Sequence, residues 1–144
     1  MKRSGFKKKA TKPLKRTKLN KVSQLPISKI QKLLWIECKR IVDEQFGTDC
    51  YTCPAKNLTG KNKQLGHVPY PKASLGAFLK YDLRVLRNQC FNCNINKGGC
   101  GAEAYKRMLK EEGKNFMENL EKDRQISVKS YDHYLELLAY YKSI

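Results

Sequence analysis

The sequence predicts an α+β fold: a small zinc-stabilised core of two short strands, helices flanking it, and a disordered basic arm at the N-terminus. Two CxxC pairs, Cys50/Cys53 and Cys90/Cys93, bracket 36 residues that contain the strand-like runs of the chain. Apolar residues recur at helical spacing before and after that bracket. Charge is segregated as well. Of 30 Lys and Arg in 144 residues, 12 fall between Met1 and Ile36, where there is no Asp or Glu; the rest of the chain carries 18 basic and 13 acidic side chains. The expected organisation is an arm over 1–25 and a domain over 26–144, divided into an N-terminal helix (26–47), the bracketed core (48–101) and C-terminal helices (102–144).

Residues 2–21 are poor in apolar side chains and mutually repulsive, so they cannot bury enough surface to fold alone and are expected to order on a polyanion. Lys7, Lys8, Lys9, Lys15, Arg16 and Lys18 are its candidate DNA contacts. They would neutralise phosphates without reading sequence, giving steeply salt-dependent binding. The arm lacks the apolar face of a membrane-surface helix, and no run approaches the roughly 20 apolar residues of a membrane span. No secretory signal follows the basic N-terminus. The expected setting is therefore the cytoplasm, where six cysteines read as a metal site with spare thiols rather than as a disulfide framework.

Ordered structure is expected to begin near Pro26, where Ser28 and Gln31 have capping-box spacing. Ile30, Leu33, Leu34, Ile41 and Val42 give a first helix over about 29–45, closed by Gly47. Cys50 to Gly66 reads as a cysteine-bearing turn and loop, being punctuated by Pro54, Asn57, Gly60 and Asn62. Short strands are expected over 64–68 and 83–87, joined by a long connection containing Pro69, Pro71 and Gly76. Any helix starting at the second cysteine pair must stop at Gly98, Gly99 and Gly101. Helices are then expected over 102–112 and 115–124. Ser130 is placed to cap a last helix whose Tyr131, Tyr134, Leu135, Leu138 and Tyr141 form one face, read as packing on the core.

A CxxC turn aims two thiolates at one centre, and two such turns complete a tetrahedral Zn²⁺ site with sulfur at about 2.3 Å. Four sulfur ligands leave no open position, so this zinc is structural. Cys38 and Cys100 read as buried or spare thiols. His67 lies inside the bracket, at the end of the first expected strand. Asn94 directly follows the second CxxC and Lys97 comes three residues later, a C-x-x-C-N-x-x-K pattern. A histidine on the first strand, a connection, a second strand and a CxxC-N helix start resembles the layout of HNH, or ββα-metal, nucleases. There a neutral imidazole takes a proton from water while a divalent cation stabilises phosphorane charge. Asn94 offers a neutral oxygen to Mg²⁺, a hard cation. His133 has no matching partners and reads as surface or core.

In order, CYTC at 50–53, GH at 66–67, KYD at 80–82, QCFNCN at 89–94 and AYKRMLKEEG at 104–113 resemble the phage NinG or Rap recombination endonucleases over about two-thirds of the chain. The resemblance implies metal-dependent hydrolysis of phosphodiester bonds in branched recombination intermediates such as Holliday junctions and D-loops, inside a bacterial host. On it, His67 is the general base, Asn94 a ligand of catalytic Mg²⁺ or Mn²⁺, and Cys50, Cys53, Cys90 and Cys93 the zinc ligands. The family's Asn five residues before the third cysteine, and the His two residues after that Asn, are here Val85 and Arg87; Asn88 stands three residues beyond the expected Asn. Asp82 and Glu103 are the nearest acidic candidates for the catalytic metal, and Arg84, Arg87 and Lys97 candidates for holding phosphate. The family also hints at a homodimer, for which the Tyr-rich C-terminal helix is the candidate surface.

The reading reached from sequence is thus a structure-selective DNA endonuclease. Its rival is a noncatalytic zinc-containing nucleic-acid-binding protein, which would share the arm and the four thiolates but would not need His67 and Asn94 together. A weaker third is an adaptor whose basic arm contacts acidic protein.

Overall fold

The structure, a computed structural model, describes residues 25–127 and 131–144. The basic arm, with its candidate DNA contacts from Lys7 to Lys18, and the proposed cap Ser130 lie outside the described residues. In chain order the elements are α1 (Ile27–Phe46), β1 (Lys63–His67), β2 (Leu86–Cys90), α2 (Gly101–Glu112), α3 (Lys114–Asp123) and α4 (Tyr131–Ser143). A wide helical turn, Asn92–Asn96, follows β2, with the Lys97 N–H donating five residues back to the Asn92 carbonyl at 2.9 Å. No helix among the described residues is long and apolar enough to cross a membrane.

α1 forms because Ile30, Leu34, Cys38, Ile41 and Val42 place one apolar stripe along 20 residues. It ends at Gly47, whose φ of 72° suits glycine and whose N–H closes the helix on the Asp43 carbonyl at 3.1 Å. The expected capping box does not form. Pro26 is the residue before the first turn, its carbonyl accepts from the N–H groups of Lys29 and Ile30, and Ser28 already lies inside the helix. The stripe packs on Tyr134, Leu138 and Tyr141 of α4 and on Leu65 and Leu86 of the sheet. α4 runs alongside α1 in the same direction. Near its start the Tyr131 hydroxyl donates to the Leu25 carbonyl at 2.9 Å, and near its end the Tyr141 carbonyl accepts from Arg40 Nη2 at 2.9 Å. The tyrosine stripe considered as a dimer surface is therefore spent on this packing, with Tyr140 left exposed.

β1 and β2 pair antiparallel, Lys63 opposite Cys90 and His67 opposite Leu86. The second strand begins three residues later than expected. Asp82 accepts from the backbone N–H of Arg84 at 2.9 Å and also holds its guanidinium, which folds 83–85 into a tight turn before pairing starts. α2 and α3 build a second cluster beside the strand ends: Ala104, Met108, Met117 and Leu120 pack with Tyr51, Val68, Leu79 and Val85, of which Val68 follows β1 and Val85 precedes β2. All of β2 is buried.

Asn88 is 4% exposed and ties β2 to the end of α1, donating from Nδ2 to Asp43 Oδ1 at 2.7 Å and to the Gly47 carbonyl at 2.8 Å. Asp43 also takes an ion pair from Lys63 of β1. Removing the amide takes away both bonds, one of them to a carboxylate, and leaves a gap at a buried position. Asn88→Ala is expected to lower stability by about 1–3 kcal/mol, read as a lower urea midpoint at unchanged slope.

Candidate functional site

The four cysteines of the two CxxC turns come together, with all their sulfur atoms within 4.8 Å of one another. Cys53 Sγ lies 3.7 Å from Cys90 Sγ, close to the edge of about 3.8 Å that a tetrahedron with bonds of about 2.3 Å requires. Among the described residues this is the one group of three or more His, Cys, Asp or Glu side chains arranged to hold a metal ion, and its geometry fits an ion such as zinc. Backbone donors serve the sulfurs. The N–H of Cys90 points at Cys50 Sγ at 3.2 Å, and that of Cys93 at Cys90 Sγ at 3.4 Å. Burial opposes ionisation of Cys50, but the N–H groups of Cys90 and Thr52 and the Thr52 hydroxyl outweigh it and bring its thiol down to about 6. Cys93 has the opposite balance, and burial pushes its thiol up. Cys38 and Cys100 are not members of the cluster. Cys38 donates to the Tyr81 carbonyl, and burial raises it to about 12; Cys100 donates to the Cys93 carbonyl at 3.8 Å.

The cluster is wired to a neighbouring cleft through Thr52 and Gln89. Gln89 Nε2 donates to Thr52 Oγ1 at 3.0 Å and to the Gly99 carbonyl at 2.8 Å. With its lone pair engaged, the Thr52 hydroxyl has its proton to give to Cys50 Sγ, 3.7 Å away. The donor role of Nε2 fixes the amide orientation, because a carbonyl such as that of Gly99 can only accept. Gln89 Oε1 is then left buried with no hydrogen-bond partner among the described residues, in a residue that is 0% exposed. It faces Gly66. A Cβ at that position would collide with Gln89 Oε1 and stand 2.8 Å from Asn94 Oδ1. Glycine is thus required here by space, because the Gln89 and Asn94 side-chain oxygens occupy the room a side chain would need.

Gly66 and Asn94 also line a cleft of about 300 Å³, together with Trp35, Leu65, His67, Lys72 and the Gly98–Gly99 pair; Gln89 lies behind it, buried. The expected pair, His67 and Asn94, therefore shares one cleft. They reach it differently: successive strand residues point to opposite faces, so His67 leaves β1 on the α1 side while Gly66 opens toward Asn94. His67 stacks on Trp35 with ring centroids 5.5 Å apart, and its Nε2 lies 2.9 Å from the Lys80 carbonyl. Only a protonated Nε2 can make that bond, so in the neutral ring the free lone pair is on Nδ1. Burial lowers the His67 pKa, with Lys72 and Lys80 adding to the effect against the Lys80 carbonyl. These effects favour the neutral ring.

The other candidates are not brought here. Asp82 is occupied by Arg84, and Arg84 is also bound by Asp123 at 2.8 Å, so neither faces the cleft. Glu103 is exposed on α2, beside Thr52 and Arg107 rather than Asn94. Arg87 is 3% exposed: it donates to the Leu83 and Leu86 carbonyls and lies over the Phe46 ring at 3.8 Å, so it is a packing residue and holds no phosphate. Lys97 is exposed next to the Gly98–Gly99 pair. His133 stacks on Phe78 in the α4 layer. Gln89, Trp35, Lys72 and Lys80 were missed. The one sequence signal for Gln89 is its place in QCFNCN, immediately before a ligand-type cysteine.

No protein-family model, curated protein or solved structure matches the chain.

The purified protein is expected to carry one zinc per chain by elemental analysis. Cys90→Ser should lose it and unfold at lower temperature, whereas Cys38→Ser and Cys100→Ser should retain it.

Proposed function

We propose that the chain is a metal-dependent DNA endonuclease of the HNH type, acting on branched DNA. One observation carries this reading: a neutral histidine with its free Nδ1 and the oxygen of Asn94 line one cleft, anchored by the four-cysteine cluster that ends immediately before Asn94. The four cysteines hold a structural zinc, which fixes Thr52, Gln89 and Asn94 around Gly66. His67 accepts a proton from water at Nδ1. Its Nε2–H, held by the Lys80 carbonyl, sets the ring orientation and stabilises the imidazolium that forms. Trp35 excludes water from one side of the ring. Asn94 Oδ1 is the cleft oxygen suited to a hard divalent cation, which when bound would supply charge stabilisation at the phosphorane and the leaving oxygen. No carboxylate lines the cleft, so the negative charge needed for tight cation binding comes from the substrate phosphate. Lys72 and Lys97 draw the DNA backbone toward it, and the basic arm adds affinity without reading bases.

The absence of a lining carboxylate also favours the second reading, a noncatalytic zinc-containing nucleic-acid-binding protein. Incubation with four-way junction, D-loop and plain duplex, with and without Mg²⁺ or Mn²⁺, separates the two. Cleavage of the branched substrates is expected. His67→Ala is expected to reduce it by about 10²-fold or more while leaving junction binding intact. Wild-type protein that binds junctions and never cuts would sink the nuclease reading.

The cleavage rate is expected to rise with pH as His67 loses its proton. Its acidic limb should lie below the ordinary imidazole value of about 6.5, since burial and the two lysines lower this pKa, and the rate should be level by neutrality. Gly66→Ala should abolish cleavage by displacing the Asn94 and Gln89 side chains, with zinc content unchanged.

A further inference from the structure

A second and larger cleft, about 600 Å³, opens between α1 and the connection from β1 to β2. It shares Trp35, His67 and Lys72 with the smaller one, so the two are continuous across the histidine. Its floor is apolar. Trp35 and Tyr81 meet edge to face with centroids 6.4 Å apart, and Ile36 beside them is 60% exposed on a helix whose other apolar residues are mostly buried. Its rim is cationic. Lys32, Lys72 and Lys80 all line it, and no acidic residue does. Lys80 lies over the Tyr81 ring at 5.3 Å, and burial and Lys72 both lower its pKa, the mark of two ammonium groups held close without a counter-charge. Apolar aromatic surface under a ring of unpaired cations suits a ligand with a flat face and an anionic chain. It does not suit the basic N-terminal residues, which the three lysines would repel, nor an ordinary apolar peptide, which would leave the lysines without partners.

We propose that this groove is a subsite for an unpaired nucleotide of a single-stranded segment, its base against Trp35 and Ile36 and its flanking phosphates on Lys32, Lys72 and Lys80. The choice of a phosphodiester chain as ligand rests on the nuclease reading. Continuity of the clefts then puts the nucleotide next to the phosphate that faces His67, so preference for branched DNA follows from the need for an unstacked base beside the cut. Base–aromatic stacking tolerates any base, so the subsite selects structure and not sequence.

Trp35 is the chain's single tryptophan and reports on the groove directly. The full-length, zinc-loaded protein would be titrated, without added Mg²⁺, with oligothymidylate, with an abasic strand of equal length and charge, and with a duplex. Oligothymidylate is expected to quench Trp35 emission. The abasic strand and the duplex, which the arm can hold equally well, should bind with little quenching. Ile36→Glu, an exposed change that puts a carboxylate into the acid-free groove, should weaken oligothymidylate binding at least fivefold by anisotropy, with melting temperature preserved. Lys72→Gln should also weaken it. Equal quenching by all three ligands, or unchanged affinity in Ile36→Glu, would overturn the subsite, as would emission that changes with protein concentration alone, which assigns the groove to a second copy of the chain. Selective quenching without cleavage under Mg²⁺ would keep the groove and remove the nuclease; cleavage without selective quenching would do the reverse.

Discussion

Four sulfur atoms within 4.8 Å of one another are the constraint on which the rest of this chain's core depends. As thiolates they repel strongly, and as thiols they are poor hydrogen-bonding partners in a buried place; a cation at their centre removes both problems at once. Around that centre the chain has little else to hold it. The sheet has two strands of five residues, and the loop from 48 to 62 contributes little apolar surface beyond Tyr51 and Leu58. The cluster joins this loop to the end of β2 and to the turn bearing Asn94. Through Thr52 it also orients the Gln89 amide. Positions otherwise far apart in sequence are thereby set against Gly66 by a few short links, each with a named donor and acceptor.

Around His67 the electrostatics run against the usual arrangement of a metal-using site. The lining side chains are lysines and neutral amides, with the nearest acids turned elsewhere into ion pairs. Lysines close to one another raise the potential of the cleft, help keep the imidazole unprotonated, and leave Asn94 Oδ1 as an acceptor on its wall. An anionic ligand relieves all of these tensions together. The same lining that makes a free cation unwelcome makes a phosphate welcome.

Much of this was legible in the amino acids. The two CxxC turns identified the cluster because their chemistry is local and their spacing characteristic, and the α1 and α4 stripes were readable because helical burial repeats along the chain. Gly66–His67 and Asn94 were also visible as a pair. What escaped reading was pairing. Arg84 and Arg87 looked like phosphate contacts, but a sequence shows charge without showing its counter-charge, and both are consumed inside the fold by Asp82, Asp123 and backbone carbonyls. Asp82 had the same fate, and by folding 83–85 back it also displaced the start of β2. Gln89 was invisible because the significance of its oxygen lies in a missing partner, and a missing partner exists only after packing. Trp35 sits one step off the buried stripe of α1, where a helical pattern assigns it to no surface in particular.

Ser28 lines the larger groove and lies three residues after Leu25, the first described residue. The sequence before it carries ten Lys and Arg over residues 2–21. On the proposed reading, a polyanion held loosely by those side chains would enter the groove as an intramolecular event, governed by an effective concentration that a short tether can raise to about the millimolar range. Two weak grips, neither selective alone, would act in series: the first supplies dwell time, and the second decides which part of the ligand stays.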